Sequence, residues 1–189
     1  MIQPERIRRL NDGQVRDGSY VLYWMQAAQR TVYNHALEYS IRRANELGNC
    51  VVVFFGLTDR WPEANLRHYY FMLEGLKEVR RSLAARGIQL VVRHVSPELG
   101  AVDMAERAAL VVVDGGQLRV QRKWRRHVAK KIKCPLYEVE TNLIVPVEEA
   151  AAAENFSAGT FRPRITRQLS HYLVPLRHRR VRRDSLGLR

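Results

Sequence analysis

The segment CVVVFF, residues 50–55, indicates the fold class, because it is apolar at every position. A strand with one solvated face alternates apolar and polar residues, whereas a strand buried on both faces is apolar throughout. Similar runs recur at YVLYW (Tyr20–Trp24), IQLVV (Ile88–Val92) and LVVV (Leu110–Val113), and a fifth strand is predicted over Pro135–Glu140. The sequence therefore predicts a five-stranded parallel sheet that is covered on both faces.

Amphipathic segments with helical periodicity separate these strands. They are predicted at about Thr31–Leu47, Ala64–Arg86, Ser96–Arg107 and Arg119–Lys133. Strands that alternate with helices are typical of a doubly wound, Rossmann-like α/β domain with right-handed crossovers. We place this domain at about residues 17–145, after a polar lead-in over residues 1–16 and before a basic linker or arm over residues 146–189.

Composition excludes several classes of protein. The chain has 189 residues, of which 46% are apolar and 27% charged, so it is neither disordered nor collagen-like. Apolar runs as long as Cys50–Phe55, which no other run exceeds, are far shorter than the roughly 20 residues that span a bilayer. No secretory signal is recognised at the N-terminus. Two cysteines, Cys50 and Cys134, make neither a disulfide framework nor a zinc cage, and we expect a cytoplasmic protein without a metal.

The net charge of +13 is concentrated in two places. Arg119–Lys133 contains eight basic residues and no acid, and Arg162–Arg189 contains nine arginines and one acid. Stretches of this kind contact nucleic acid or an acidic partner in many proteins. The simpler interpretation, a solvated face, is favoured for the Arg119–Lys133 helix taken alone, whereas for the tail the sequence leaves both interpretations open.

Ligands of open doubly wound sheets bind beyond the carboxyl ends of the strands, where the strand order reverses. The chain segments expected there are Trp24–Gln26, Gly56–Asp59 and Asp114–Gly116. A dinucleotide site needs a glycine-rich turn after the first strand, and the turn WMQAAQRT contains no glycine. The remaining aromatic and apolar surface suits a flat conjugated ligand better than a ligand rich in phosphate.

Each of these residues also has a purely structural interpretation. Trp24 fits a position in the core as well as one in a ligand wall. Asp114 has the residue type that caps the following helix, and Gly115 has the type that makes a turn. Trp124 falls on the apolar stripe of its helix, which favours the core, and Trp61 in a loop is uninformative.

Four motifs, in the same order as in the family, resemble class II cyclobutane pyrimidine dimer photolyases of the photolyase/cryptochrome family. The resemblance extends from about Arg6 to Ile165. The motifs are YWMQAAQRTVYNHAL (Tyr23–Leu37), GLTDRWPEANLRHYYFMLEGL (Gly56–Leu76), VVDGGQLR (Val112–Arg119), which fits an Asp-x-x-x-Leu-Arg pattern, and TFRPRI (Thr160–Ile165).

The resemblance implies a two-domain enzyme, deoxyribodipyrimidine photo-lyase, a carbon–carbon lyase that repairs DNA in light. Its α/β domain holds an antenna chromophore, which is a deazaflavin or a folate. Its helical domain holds FAD and binds the damaged DNA with the dimer flipped out of the stack. We expect that helical domain, in cis or in trans, to be the partner of this chain, which ends at Arg189 before it. No catalytic residue is therefore carried over, and neither a membrane nor a metal is expected.

The resemblance and the strand ends together imply an antenna pocket. Its expected residues are Trp24, Met25, Gln26, Phe55, Gly56, Leu57, Asp114, Gly115 and Arg119. An aromatic wall would stack on the conjugated ring, and Asp114 would accept a hydrogen bond from it. Arg119 would neutralise an acidic ligand or pair with Asp114. The arginine-rich tail after Arg177 is expected to be exposed and disordered.

Two other functions stay open on the sequence. A stand-alone nucleic-acid-binding protein would use the basic helix and arm for salt-dependent phosphate contacts. A nucleotide-binding module of the universal-stress type has a similar sheet, although the absence of a glycine-rich phosphate loop disfavours it.

Overall fold

The computed structural model describes residues 2–61, 63–151, 153 and 155–188. Six strands in these residues form one sheet: β1 Ile7–Arg9, β2 Tyr20–Trp24, β3 Cys50–Leu57, β4 Gln89–His94, β5 Ala108–Asp114 and β6 Leu136–Val139. The α-helices are α1 His35–Glu46, α2 Leu66–Ala84, α3 Pro97–Ala105, α4 Arg119–Lys131, α5 Val147–Ala150 and α6 Ala158–Tyr172, and Pro4–Arg6 forms one 3-10 turn.

The strand order is β1-β6-β5-β2-β3-β4. The five predicted strands pair in parallel, which confirms the doubly wound α/β fold, and the order reverses between β2 and β5. The sheet has one strand more than predicted, because β1 pairs antiparallel with β6. Three residues of sequence Ile-Arg-Arg at a half-exposed edge carry no apolar pattern by which they could be recognised.

Successive side chains of a strand point to opposite faces, so the sheet has two separate cores. On one face, Tyr23 of β2 packs with residues of α1 and α2. On the other face, Trp24 packs with residues of α3 and α4. Every residue of β2 and β5 is buried, as continuous apolar runs predict.

The helix ends follow from capping residues. The Asn34 side chain accepts a hydrogen bond from the backbone N–H of Leu37, so α1 begins at His35 and not at Thr31 as periodicity suggested. Gly48 and Gly87, with φ of 66° and 74°, follow α1 and α2 in the left-handed conformation expected of a C-terminal glycine.

The lead-in is attached to the domain through Arg6, which is only 3% exposed. Its guanidinium donates hydrogen bonds to the carbonyl oxygens of Leu143 and Ile144, at 2.8 and 2.5 Å. The ring of Tyr172, at the end of α6, lies 5.3 Å below the guanidinium carbon. One buried arginine thus joins the first and last parts of the chain to the segment that follows β6.

The tail over residues 174–188 is docked on the domain, so the expectation of a disordered tail is wrong. Ser185 is 1% exposed, and its hydroxyl donates to the carbonyl of Val51 at 2.6 Å and accepts from the backbone N–H of Gln89 at 2.8 Å. The buried carboxylate of Glu38 accepts from the backbone N–H of Arg179 at 2.7 Å. Polar anchors hold this tail together with three separate apolar side chains that pack on the two cores, Leu176, Val181 and Leu188.

We expect Ser185→Ala to release the tail. The substitution leaves the carbonyl of Val51 and the N–H of Gln89 without their partner, which costs about 1–3 kcal/mol. Limited trypsinolysis should then cleave faster after the tail arginines. Ser82→Ala, at an exposed position of α2, is the control and should digest like the unchanged chain. Equal digestion of both variants would contradict an anchoring role for Ser185.

Candidate functional site

A pocket of about 260 Å³ opens at the carboxyl ends of β2 and β3, beside the point where the strand order reverses. Five parts of the chain meet there, namely the loop after β2, the end of β3 with the loop that follows it, the first turns of α2, the first residue of α3 and one face of α4. Pockets for small ligands measure about 300–1,000 Å³, so this one lies just below that range, which suits a single ring system and excludes a whole dinucleotide. Its polar and aromatic lining includes Gln26, Gln29, Phe55, Trp61, His68, Tyr69, Gln121 and Trp124.

Two tryptophans form part of the wall. The rings of Trp61 and Trp124 lie with their centroids 5.7 Å apart and their planes tilted by 57°. Both side chains are half-buried, and the apolar side chains of Phe55 and Met72 line the same pocket. Flat aromatic surface of this kind is what a conjugated ligand stacks on.

Buried polar atoms without partners also line the pocket. Gln26 is 7% exposed, and neither its Nε2 nor its Oε1 has a hydrogen-bond partner among the described residues. The buried hydroxyl of Tyr69 likewise has none. Buried polar groups are hydrogen-bonded in the great majority of cases, so an amide that lacks both bonds points to a ligand with a donor and an acceptor.

Asp114 at the end of β5 holds the loop that carries Gln26. Its Oδ1 accepts from the backbone N–H of Gln26 at 2.7 Å, and its Oδ2 accepts from those of Ala27 and Ala28 at 2.6 and 2.9 Å. Burial raises the pKa of Asp114, and the backbone hydrogen bonds oppose that rise. Four donors, including Tyr23, point at this carboxyl, and only an ionised carboxylate can accept from all of them.

Tyr23 and Asn34 secure the other side of the same loop. The Tyr23 hydroxyl donates to Asp114 at 3.1 Å and accepts from Nδ2 of Asn34 at 3.0 Å. Burial, followed by the neighbouring charge of Asp114, raises the pKa of Tyr23 well above its usual value. The amide of Asn34 also donates to the carbonyl of Ala28. The loop is thus positioned from two directions before any ligand arrives.

Gly56 allows β3 to approach α3 closely at the pocket. A Cβ at this position would lie 2.6 Å from the Cα of Pro97, the first residue of α3 and itself a lining residue. Backbone cannot yield as a flexible side chain can, so any side chain here would push α3 away.

Five of the nine residues predicted for the pocket line it: Met25, Gln26, Phe55, Gly56 and Leu57. Trp24 is fully buried in the core between the sheet, α3 and α4, which is the other role that the sequence left open for it. Neighbouring side chains of a strand point to opposite faces, so Trp24 lies on the face of the sheet opposite that of Tyr23.

The remaining three predicted residues also lie outside the pocket lining. Asp114 binds the loop, and so neither caps α4 nor contacts Arg119. Gly115 lies beside Glu138: a Cβ added to Gly115 would be 3.2 Å from Oε1 of Glu138. Arg119 lines a different cavity between α4 and β1.

Sequence reasoning missed Trp61, Tyr69 and Trp124 as lining residues. Trp124 lies on the second turn of α4, which begins directly after the strand-end loop of β5. Its closeness to the point where the strand order reverses was therefore a usable signal, although its position on the apolar stripe of α4 favoured a place in the core. Trp61 lies within the motif Gly56–Leu76, which was a usable signal, but neither periodicity nor spacing marks it, since a loop residue acquires its neighbours only from the fold.

Within the described part of the chain, no group of three or more His, Cys, Asp or Glu residues could hold a metal ion. In the same part, no helix is both long enough and apolar enough to cross a membrane. Cys50 and Cys134 are buried and free.

The sequence profile of the DNA photolyase family matches residues 21–180. A deoxyribodipyrimidine photo-lyase of Methanothermobacter thermautotrophicus is 52% identical over the whole of this chain and 42% of its own length. A protein of the same name from Arabidopsis thaliana is 30% identical over 92% of this chain and 36% of its own length. The chain thus spans less than half the length of these relatives.

Among solved structures, the universal stress protein from Archaeoglobus fulgidus in complex with dAMP is 17% identical. The match covers 66% of this chain and 100% of that one, with a TM-score of 0.46. A likeness of this degree supports no conclusion about ligands.

We expect Gln26→Leu to stabilise the ligand-free chain. Leucine has a similar size and removes two buried polar atoms that lack partners, so the free energy of unfolding should rise by about 1–2 kcal/mol. Urea denaturation measures the change. Gln14→Leu, at an exposed position, is the control and should have little effect. A loss of stability in Gln26→Leu would show that its amide is satisfied within the chain.

We expect Asp114→Asn to destabilise the fold. The asparagine NH₂ group would face backbone N–H donors of the loop, and the charge that strengthens the remaining bonds would be lost, at a cost of about 3 kcal/mol. Denaturation in urea would show this loss, and amide hydrogen exchange would show faster exchange at residues 26–28. Asp17→Asn, which alters an exposed carboxylate, should change neither measurement.

Proposed function

Because the chain belongs to the DNA photolyase family, we propose that it is the antenna-holding α/β part of a light-dependent DNA repair enzyme. In this proposal the pocket at the ends of β2 and β3 binds a deazaflavin or a folate. The motifs that resemble those of class II cyclobutane pyrimidine dimer photolyases support the proposal that the enzyme belongs to that class. The whole enzyme acts on pyrimidine dimers, whereas these residues alone perform no repair.

The unpaired amide of Gln26 is the observation that carries the proposal. Deazaflavins and reduced folates both present a ring edge on which an N–H lies next to a carbonyl oxygen. A primary amide offers one donor and one acceptor in the same plane, so it pairs with such an edge through both of its atoms. The residues present therefore fit a chromophore of either kind.

The other lining residues have complementary roles in this proposal. Trp61 and Trp124 stack on the ring system, and Phe55 and Met72 exclude water from it. The hydroxyl of Tyr69 supplies one further hydrogen bond. When bound, the chromophore supplies absorption of light and passes the excitation to the flavin.

FAD and the damaged DNA belong to the remainder of the enzyme in this proposal. The relatives named above are more than twice as long as the matched region, which leaves room for a helical FAD domain. The described residues of this chain are assigned no catalytic role. Illumination of the chain with FAD and dimer-containing DNA should therefore leave the dimers intact.

Fluorescence titration of the chain with 5-deazariboflavin, and separately with tetrahydrofolate, tests the proposal. We expect one of the two to bind and to quench tryptophan emission. Gln26→Leu and Trp61→Ala should each weaken its binding about tenfold, since each removes contacts worth roughly 1–1.5 kcal/mol.

Phe71→Ala is the matched control. This aromatic residue lies on α2 two positions beyond Tyr69, is 82% exposed and does not line the pocket. Its variant should bind the chromophore as the unchanged chain does. Binding of neither probe, or an equal loss in all three variants, would refute an antenna function for this pocket.

A further inference from the structure

A second cavity, of about 450 Å³, lies between α4 and the edge strand β1. We call it the arginine groove, because five arginines line it: Arg8, Arg119, Arg122, Arg125 and Arg126. Leu10, Ala129 and Glu138 complete the lining. It does not share a lining residue with the pocket that contains Gln26.

The acids near the arginine groove neutralise only part of its charge. Glu138 pairs with Arg125 at 2.9 Å through one oxygen and with Arg8 at 2.7 Å through the other. Arg8 also contacts Glu148 at 2.5 Å. Two carboxylates thus face five guanidinium groups, and these carboxylates pair only with Arg8 and Arg125 among the described residues.

Several guanidinium groups of the arginine groove have N–H donors without an acceptor among the described residues. Arg125 is 4% exposed, and its Nη1 is buried without a hydrogen-bond partner among the described residues. Arg119 and Arg122 are exposed, and within the same part of the chain their side chains have neither an acceptor nor an ion pair. A buried charged donor without an acceptor is costly unless an anion completes it.

We propose that the arginine groove binds the phosphodiester backbone of DNA. Arg119, Arg122 and Arg126 lie three and four residues apart, which places them on neighbouring turns of one helix face. They span roughly 10 Å along the axis at 1.5 Å per residue. Three base steps of a DNA duplex rise by about the same length along the duplex axis, at about 3.4 Å each.

The row of arginines favours an extended polyanion over a single phosphate ion. One phosphate would engage only part of the row, whereas successive phosphates of a strand meet successive guanidinium groups, each of which can donate two parallel hydrogen bonds. Contacts of this kind fix the position of DNA and read no sequence. The proposal requires neither a chromophore nor a dimer, so it does not rest on the antenna function.

The test measures binding of the full chain to a fluorescent DNA duplex without damage, in the dark, over a series of salt concentrations. Arg119→Gln/Arg122→Gln removes two exposed guanidinium groups that hold nothing else in the described structure. We expect affinity to fall at least about tenfold near 0.1 M salt, and the slope of log K against log salt to decrease by about 1.8.

Arg80→Gln/Arg81→Gln is the matched control, because it removes the same charge from exposed positions of α2. It should change the affinity less than about threefold and keep the salt slope. Thermal unfolding of both variants should match that of the unchanged chain.

Three results would overturn the proposal. One is the absence of DNA binding by the unchanged chain at low salt. Another is an equal loss in the two double variants, which would assign binding to the net charge of the chain. The third is tight binding of inorganic pyrophosphate without binding of the duplex, which would assign the groove to a small anion.

Discussion

The position of the candidate site depends on one buried carboxylate. Asp114 ends a central strand and binds three successive backbone N–H groups of the loop after the neighbouring strand. Such a loop has no regular partner for its amides, and leaving them unpaired in the protein interior would be costly. The carboxylate satisfies them and thereby joins the two strand ends at which the order of the sheet reverses. The conformation of Gln26, and with it the pocket, follows from this contact.

The sequence predicts the sheet better than it predicts the site. Continuous apolar runs such as Cys50–Phe55 identify buried strands, because burial on both faces leaves little choice of residue type. Parallel pairing then places Met25 and Phe55 at one edge, as predicted. Whether Trp24 lines the pocket or the core depends on the face of the sheet to which its side chain points. The apolar run of β2 does not determine this, because all of its residues are apolar. The contribution of Trp61 depends on how a loop folds, for which a single sequence contains no comparable signal.

The two basic stretches behave differently, although their compositions are alike. The stretch on α4 presents arginines on one face, where edge strand β1 and Glu138 turn them into a groove. The stretch after Arg177 is fixed through its backbone, through Ser185 and through Arg183, whose side chain donates to the carbonyl of Gly48, so it is an ordered segment with exposed arginines. Hydrophobic periodicity could not reveal the second arrangement, because hydrogen bonds of Glu38 and Ser185 and a few apolar side chains without helical or strand spacing hold that segment.

If the pocket binds the proposed chromophore, the unpaired amide of Gln26 would link the lifetime of the chain to the supply of that ligand. A ligand that binds only the folded state adds to stability by mass action, about 2.7 kcal/mol at a concentration 100 times its dissociation constant. Because the amide of Gln26 lacks partners in the ligand-free chain, newly made chains in excess of that ligand would unfold more often than saturated ones. Proteases that act on unfolded chains would remove this excess first. The pocket would in this way match the amount of surviving protein to the amount of its small molecule.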